Sequence, residues 1–261
     1  MLTSTAVQCT GMAHASKVLV YAGNGTAQHF VEDTILTFRR LLGDGYTVTK
    51  AYALDLASRA WMNSTSMLII PGGRASPYAA DLDGEANSNI IDYVKEGGVY
   101  VGFGAGSYYA SHRTEFEKGN PKYEIVRDLP LGFYPGICRG TVFPGFQYDS
   151  AEGAKSPDIV AQGTEKTYPA YYNGGGAFID PDHYPSARVL ARYKDVEDPT
   201  ANAAVVLVKV GDGSALLSGV HVEYIPTMEH PAIYKHIHPF QDDIDVLVRG
   251  WLQELNVKIS K

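Results

Sequence analysis

Apolar residues recur along this chain in two rhythms, and the alternation between them lays out the architecture. KVLVYA (residues 17–22) is a short apolar run closed by Gly23-Asn24-Gly25, which predicts a strand and a turn. From residue 26 to 42 the spacing becomes helical, with Phe30, Val31, Thr34, Ile35, Phe38, Leu41 and Leu42 on one face. Gly43 and Gly45 mark where that helix stops. YTVTKAY (46–52) predicts a second strand, residues 54 to about 61 a helix, and MLIIPGG (67–73) a third strand ending in a glycine pair. Residues 86–96 carry Ile90, Ile91 and Val94 at helical spacing and lead into a fourth strand, Val99 to Phe103. Strands alternating with helices in units this short predict a parallel, doubly wound α/β sheet, which binds ligands beyond the carboxyl ends of its strands.

From about residue 117 to 185 the pattern changes to short segments rich in Gly, Pro, Tyr and Phe, such as FYPGICRGTVFPGFQY and YPAYYNGGGAFID. These predict hairpins and ordered loops, a β-rich insertion packed on the main sheet. Within it, Gly174-Gly175-Gly176 permits close backbone approach, to a ligand or to another strand. Three further strands are expected at 187–193, 203–210 and 214–220, the last two joined through Gly211-Asp212-Gly213. HPAIYKHIH (230–238) reads as a solvated loop. Residues 242–255 read as an amphipathic helix, with Ile244, Leu247, Val248, Trp251 and Leu255 on its apolar face. The expectation is a tail over residues 1–16 and one domain over 17–261.

Composition narrows the function classes. A chain of 261 residues, 45% hydrophobic and 20% charged, suits one large globular domain. Its formal charge of −7 argues against nucleic acid as a partner. No run approaches the ~20 apolar residues of a membrane span. The first sixteen residues lack a basic and apolar leader pattern, and Cys9 and Cys138 show no metal or redox spacing. These features predict a cytoplasmic protein with no cofactor and no metal.

The chemistry concentrates in GGVYVGFGAGSYYAS (97–111), where a buried strand runs through alternate glycines into SYYAS, read as the first turn of a helix. A strand turning sharply into a helix through G-x-x-x-G is the geometry of a nucleophile elbow. The apex residue is Gly104, so the mount for a nucleophile is present without a nucleophile on it. His221-x-Glu223, following a late strand, supplies a base and a carboxylate that can orient it. Ser107 lies about one helical turn past the apex and reads as a cap of the helix N-terminus. Arg74, next to the glycine pair Gly72-Gly73, reads equally as a binder of carboxylate or phosphate and as a surface ion pair.

PGG after the third strand, G-x-x-x-G at the elbow and H-x-E after a late strand come in an order similar to class I glutamine amidotransferases and the DJ-1/PfpI group. YAGNGTAQHF, IIPGGRASPY, GAGSYYAS, EFEKGN, FPGF, YYNGGGAF and VHVEY further resemble the amidotransferase-like N-terminal region of eukaryotic biotin–protein ligases, over about residues 17–224. The resemblance implies a flavodoxin-like fold with its site at Gly104, His221 and Glu223, and oxyanion donors at the backbone N–H groups of Gly73 and Ala105. It also departs from the pattern. Gly104 stands where the family's elbow G-F-C-A-G has cysteine, and Val222 replaces the proline usual in H-P-E. No G-R-G-R-x-G or K-W-P-N-D motif for biotinyl-adenylate is present, so this chain alone is not expected to ligate biotin. The implied function is a degenerate binding or regulatory module, taking a small molecule or anion in its cleft or a protein partner linked to biotin metabolism. The alternative is a cysteine-dependent amidotransferase or hydrolase whose nucleophile at position 104 has been replaced.

Overall fold

The computed structural model describes residues 17–257; the tail expected over residues 1–16, and Cys9 with it, lies outside them. Strands and helices alternate as β1 (Lys17–Tyr21), α1 (Gln28–Leu42), β2 (Thr47–Ala51), α2 (Ala53–Ala57), β3 (Thr65–Ile70), α3 (Ala75–Asp81), α4 (Glu85–Lys95), β4 (Val99–Phe103) and α5 (Ala105–Tyr109). Only α3 has no counterpart in the sequence pattern. At seven residues it is too short to show a period, although Tyr78 and Ala79 bury one face of it. The turn after β4 is shorter than SYYAS suggests: α5 ends at Tyr109 and Ser111 already opens the next strand.

β5 (Ser111–Phe116), β6 (Ile125–Asp128), β7 (Tyr134–Gly140), β8 (Asp158–Ala161), β9 (Thr167–Pro169) and β10 (Gly176–Phe178) follow. The chain ends on β11 (Ala187–Tyr193), β12 (Ala203–Val210), β13 (Gly213–Ser218), α6 (Pro231–Ile237) and α7 (Gln241–Glu254). The solvated loop expected around residue 230 is corrected to a helix. Pro231 occupies a first-turn position, where its missing N–H costs nothing, and Ile233 and Ile237 bury four residues apart.

One path of strands runs β2-β1-β3-β4-β13-β12-β10-β7-β5-β6, with β11, β8 and β9 branching from β12. The pairs from β2 through β13 are parallel, and β12 then turns back antiparallel on β13 through a tight hairpin at Gly211-Asp212. Strands from the 117–185 segment extend this sheet, with β7 parallel to β5 and β10 antiparallel to β12. Neighbouring residues of the N-terminal strands enter opposite cores. Val18, Val20, Met67 and Ile69 pack under α1 and α7, while Leu19, Tyr21, Leu68 and Ile70 pack under α3 and α4. A sheet covered on both faces leaves only its strand ends open, and there the candidate residues collect.

Candidate functional site

β3, β4 and β13 are adjacent parallel strands, so their carboxyl ends deliver Gly72-Gly73, Gly104 and His221 to one place. Register explains the meeting of residues so distant in sequence. Phe103 lies opposite Ser218, and the Gly104 N–H donates to the Ser218 carbonyl at 2.8 Å. The Ser218 hydroxyl donates to the Val220 carbonyl at 2.6 Å and fixes the bend after β13. The His221 N–H then donates to the Tyr171 carbonyl at 2.8 Å, which ties the 117–185 segment to the site.

Gly104 has φ 49° and ψ −109°, a conformation in which a Cβ is strained. Nδ1 of His221 donates to Oε1 of Glu223 at 2.7 Å, with His221 3% and Glu223 1% exposed. Nε2 of the ring faces Gly104. The ring is clamped. It stacks on Phe30 with centroids 4.0 Å apart and planes 8° apart, and a Cβ on Gly72 would meet Phe30 at 2.5 Å and the ring at 2.6 Å. A Cβ on Gly104 would stand 2.7 Å from Nε2, so the imidazole already occupies the room a side chain would need there.

The N–H groups of Gly73 and Ala105 make no other hydrogen bond among the described residues, and both residues line a cleft of about 800 Å³ with Gly104 and His221. Gly72 and Glu223 stand behind its wall. Glu223 keeps one oxygen, Oε2, buried without a hydrogen-bond partner among the described residues. Arg74 also lines the cleft. It pairs with Asp149, and its guanidinium lies 4.7 Å over the Tyr148 ring. Ser107 is fully buried and its hydroxyl donates to the Gly104 carbonyl at 2.7 Å. It therefore caps no N–H and presents nothing to the cleft. Gly175 sits where a Cβ would collide with the Gly219 carbonyl, so this part of the glycine run serves strand contact. His236 bonds Ser156 at 2.9 Å and His238 stacks on Tyr234 at 4.6 Å.

Two cleft residues, His29 and Asp33, escaped the sequence reading, and Tyr171 of the 117–185 segment lines the cleft with them. Tyr171 stacks on Tyr224 at 4.1 Å and reaches the Phe30 and His221 rings edge-on. His29 sits at the start of α1, where burial and the nearby His221 and His230 depress its pKa. Asp33, three residues after Phe30 on the same helix face, accepts the Ile225 N–H at 3.2 Å. Burial pushes the Asp33 carboxyl up to about 6 against that hydrogen bond, and the Glu223 carboxylate adds to the rise. The spacing of Asp33 from Phe30 was the available signal, but it looked like the polar margin of an amphipathic helix.

A carboxyl whose pKa is raised by folding binds its proton more tightly when folded, so its contribution weakens stability as pH climbs from about 4 toward 6. Asp33→Asn keeps an acceptor for Ile225 without the charge. It is expected to stabilise the fold by ~1 kcal/mol at pH 7, allowing for partial exposure, and by nothing near pH 3. Urea midpoints of both proteins at the two pH values check this, and equal midpoints at pH 7 would refute it.

The sequence profile of a family described as biotin-protein ligase, N terminal, matches residues 16–255. The chain is 35% identical over 210 residues to a biotin–protein ligase of Schizosaccharomyces pombe, which covers 79% of this chain and 33% of the relative. The chain thus matches only about a third of that enzyme's length. It is 30% identical over 213 residues to an uncharacterized protein of Chlamydia muridarum, covering 80% of this chain and 81% of the other. Among solved structures, a glutamine amidotransferase superposes with a TM-score of 0.56 at 16% identity, over 88% of this chain and 98% of that one. The PurLQS complex of Thermotoga maritima gives 0.57 at 15% identity, over 90% and 97%. These two likenesses establish the amidotransferase-like fold.

Proposed function

The chain belongs to the biotin-protein ligase N-terminal family, and from that premise we propose that it is a binding or regulatory module whose nucleophile elbow has lost its nucleophile. The observation that carries this reading is the position of His221. Its ring rests against Gly104 in the space that a catalytic side chain would fill, clamped by Phe30 and Gly72. Ser107 does not stand in for that side chain, because it is buried and its hydroxyl is bonded to the Gly104 carbonyl. The cleft keeps polar lining and becomes a place to hold a small ligand. The kinship with a biotin–protein ligase supports a regulatory role beside that chemistry, with a protein partner linked to biotin metabolism.

Ammonia release from glutamine and nitrophenol release from an activated ester are therefore expected to stay at the uncatalysed rate. Saturable glutamine turnover that disappears in His221→Ala would overturn the reading. One observation favours a second reading, a cysteine hydrolase with its nucleophile replaced. Gly104 holds the positive-φ conformation of an elbow apex, beside an intact His221–Glu223 pair. Gly104→Cys separates the two readings: His221-dependent turnover restored by the thiol supports the second.

A further inference from the structure

The segment 145–153 closes on itself over the cleft. Gly145 and Gly153, at φ 104° and 87°, touch at its neck, where a Cβ on Gly153 would lie 2.1 Å from the Gly145 carbonyl oxygen. Its aromatic side is held edge to face, Phe146 against Tyr148 at 4.9 Å and against Phe116 at 5.2 Å. Its next residue, Asp149, takes a left-handed backbone at φ 56° and directs its carboxylate to Arg74. Arg74 is fixed from two sides. Its backbone N–H donates to the Gly25 carbonyl at 2.9 Å, and its guanidinium lies along Tyr148.

Arg74 thus presents a restrained planar fork at the mouth of the cleft, and the group it holds is a carboxylate from the loop that covers that cleft. The pair is open to water, with 44% of the Arg74 and 81% of the Asp149 side chain exposed. Exposed pairs of this kind are weak and exchange readily. The adjoining walls are aromatic, from Phe30, Tyr108, Phe116 and Phe146. We propose that the cleft is a site for an organic carboxylate with an apolar or aromatic body, and that Asp149 is the resident surrogate for it. The incoming carboxylate takes Arg74 from Asp149, its body lies on the aromatic walls, and segment 145–153 is released. A guanidinium's two parallel N–H donors match a carboxylate, and Arg74 holds its guanidinium 4.7 Å over the Tyr148 ring. This rests on the reading of the cleft as a ligand site.

Benzoate is the probe, with benzamide as its uncharged counterpart and inorganic phosphate as a second anion, titrated calorimetrically into the full chain. Asp149→Asn removes the competitor and is expected to tighten benzoate about three- to fivefold, the worth of an exposed pair. Arg74→Gln is expected to weaken it about tenfold or more. Both side chains are exposed, and unchanged thermal midpoints confirm that the variants are folded. Amide exchange over 145–153 should quicken when benzoate binds the parent and should already be fast in Asp149→Asn. Benzoate affinity that is unchanged or weaker in Asp149→Asn overturns the exchange, as does benzamide or phosphate binding as tightly as benzoate. Binding that survives Arg74→Gln removes this site while leaving a ligand cleft. Absence of benzoate binding in parent and Asp149→Asn alike ends the proposal, and glutamine turnover in the same samples judges the preceding reading separately.

Discussion

Gly104→Cys is expected to cost about 3 kcal/mol of stability while creating a thiol that alkylates rapidly. Two terms make up the cost. A non-glycine residue at φ 49° carries a strain of about 1–3 kcal/mol. A Cβ placed 2.7 Å from Nε2 forces the His221 ring to move, and overpacking of this kind costs about 1–3 kcal/mol. The ring has little freedom to yield, because Phe30, Gly72 and Glu223 hold it on its other sides. In a domain of this size the loss corresponds to a fall of about 6–12 °C in thermal midpoint. Gly104→Ala should fall nearly as far, since the cost arises at Cβ. The new thiol would stand beside an imidazole and the start of α5, both of which favour thiolate. It should react with iodoacetamide faster than Cys138, whose pKa burial drives well up, and slow down in the His221→Ala background. A midpoint within 2 °C of the parent would show that the ring does not fill the space a side chain at 104 needs.

The parallel half of the fold was legible because its strands are buried on both faces and its helices are long enough to show a period. Val18–Tyr21, Met67–Ile70 and Val99–Val101 are unbroken apolar runs, and Phe30 to Leu42 repeats at helical spacing. The fold also made Gly72-Gly73, Gly104 and His221 readable together, since each lies within three residues of the end of a strand. What stayed hidden depends on contacts between distant segments. Nothing in the sequence around Phe30 shows that its ring lies against His221, or around Asp149 that its carboxylate reaches Arg74, 75 residues away. The helix Pro231–Ile237 was hidden for another reason: its two buried isoleucines sit among three histidines and a lysine, so composition masked a single amphipathic turn pair.

The position of the imidazole changes what glycine at 104 means. A Cβ there would stand 2.7 Å from Nε2, so the ring takes the room a side chain would need. Gly72 and Phe30 are shaped to hold the ring where it is, which makes glycine at 104 part of the local packing. The same packing buries a carboxylate, and burying a charge is unfavourable unless something repays it. Among the described residues, the Glu223 carboxyl has a hydrogen-bond partner on one oxygen and none on the other. Apolar residues at both positions would do as well for stability, so we propose that the polarity of the pair serves a ligand in the cleft.

That logic sets the largest stability effect expected of a single substitution here. His221→Leu conserves bulk and removes the sole hydrogen-bond partner that the Glu223 carboxylate has among the described residues. Breaking a buried pair from one side typically costs 3–5 kcal/mol, and loss of the stack on Phe30 adds about 0.5–1.5 kcal/mol. Glu223→Met in the same background removes the stranded charge at similar volume. The double variant is expected to recover at least ~2 kcal/mol of the loss and to approach the parent, because apolar replacement of a whole buried pair is often neutral or stabilising. A double-mutant cycle from urea midpoints at pH 7 reads the coupling directly. If His221→Leu costs less than ~1 kcal/mol, the carboxylate is satisfied without the imidazole and the dyad is no dyad. If the double variant is as unstable as the single, the two side chains are structural in their own right, and the argument that their polarity serves a ligand fails.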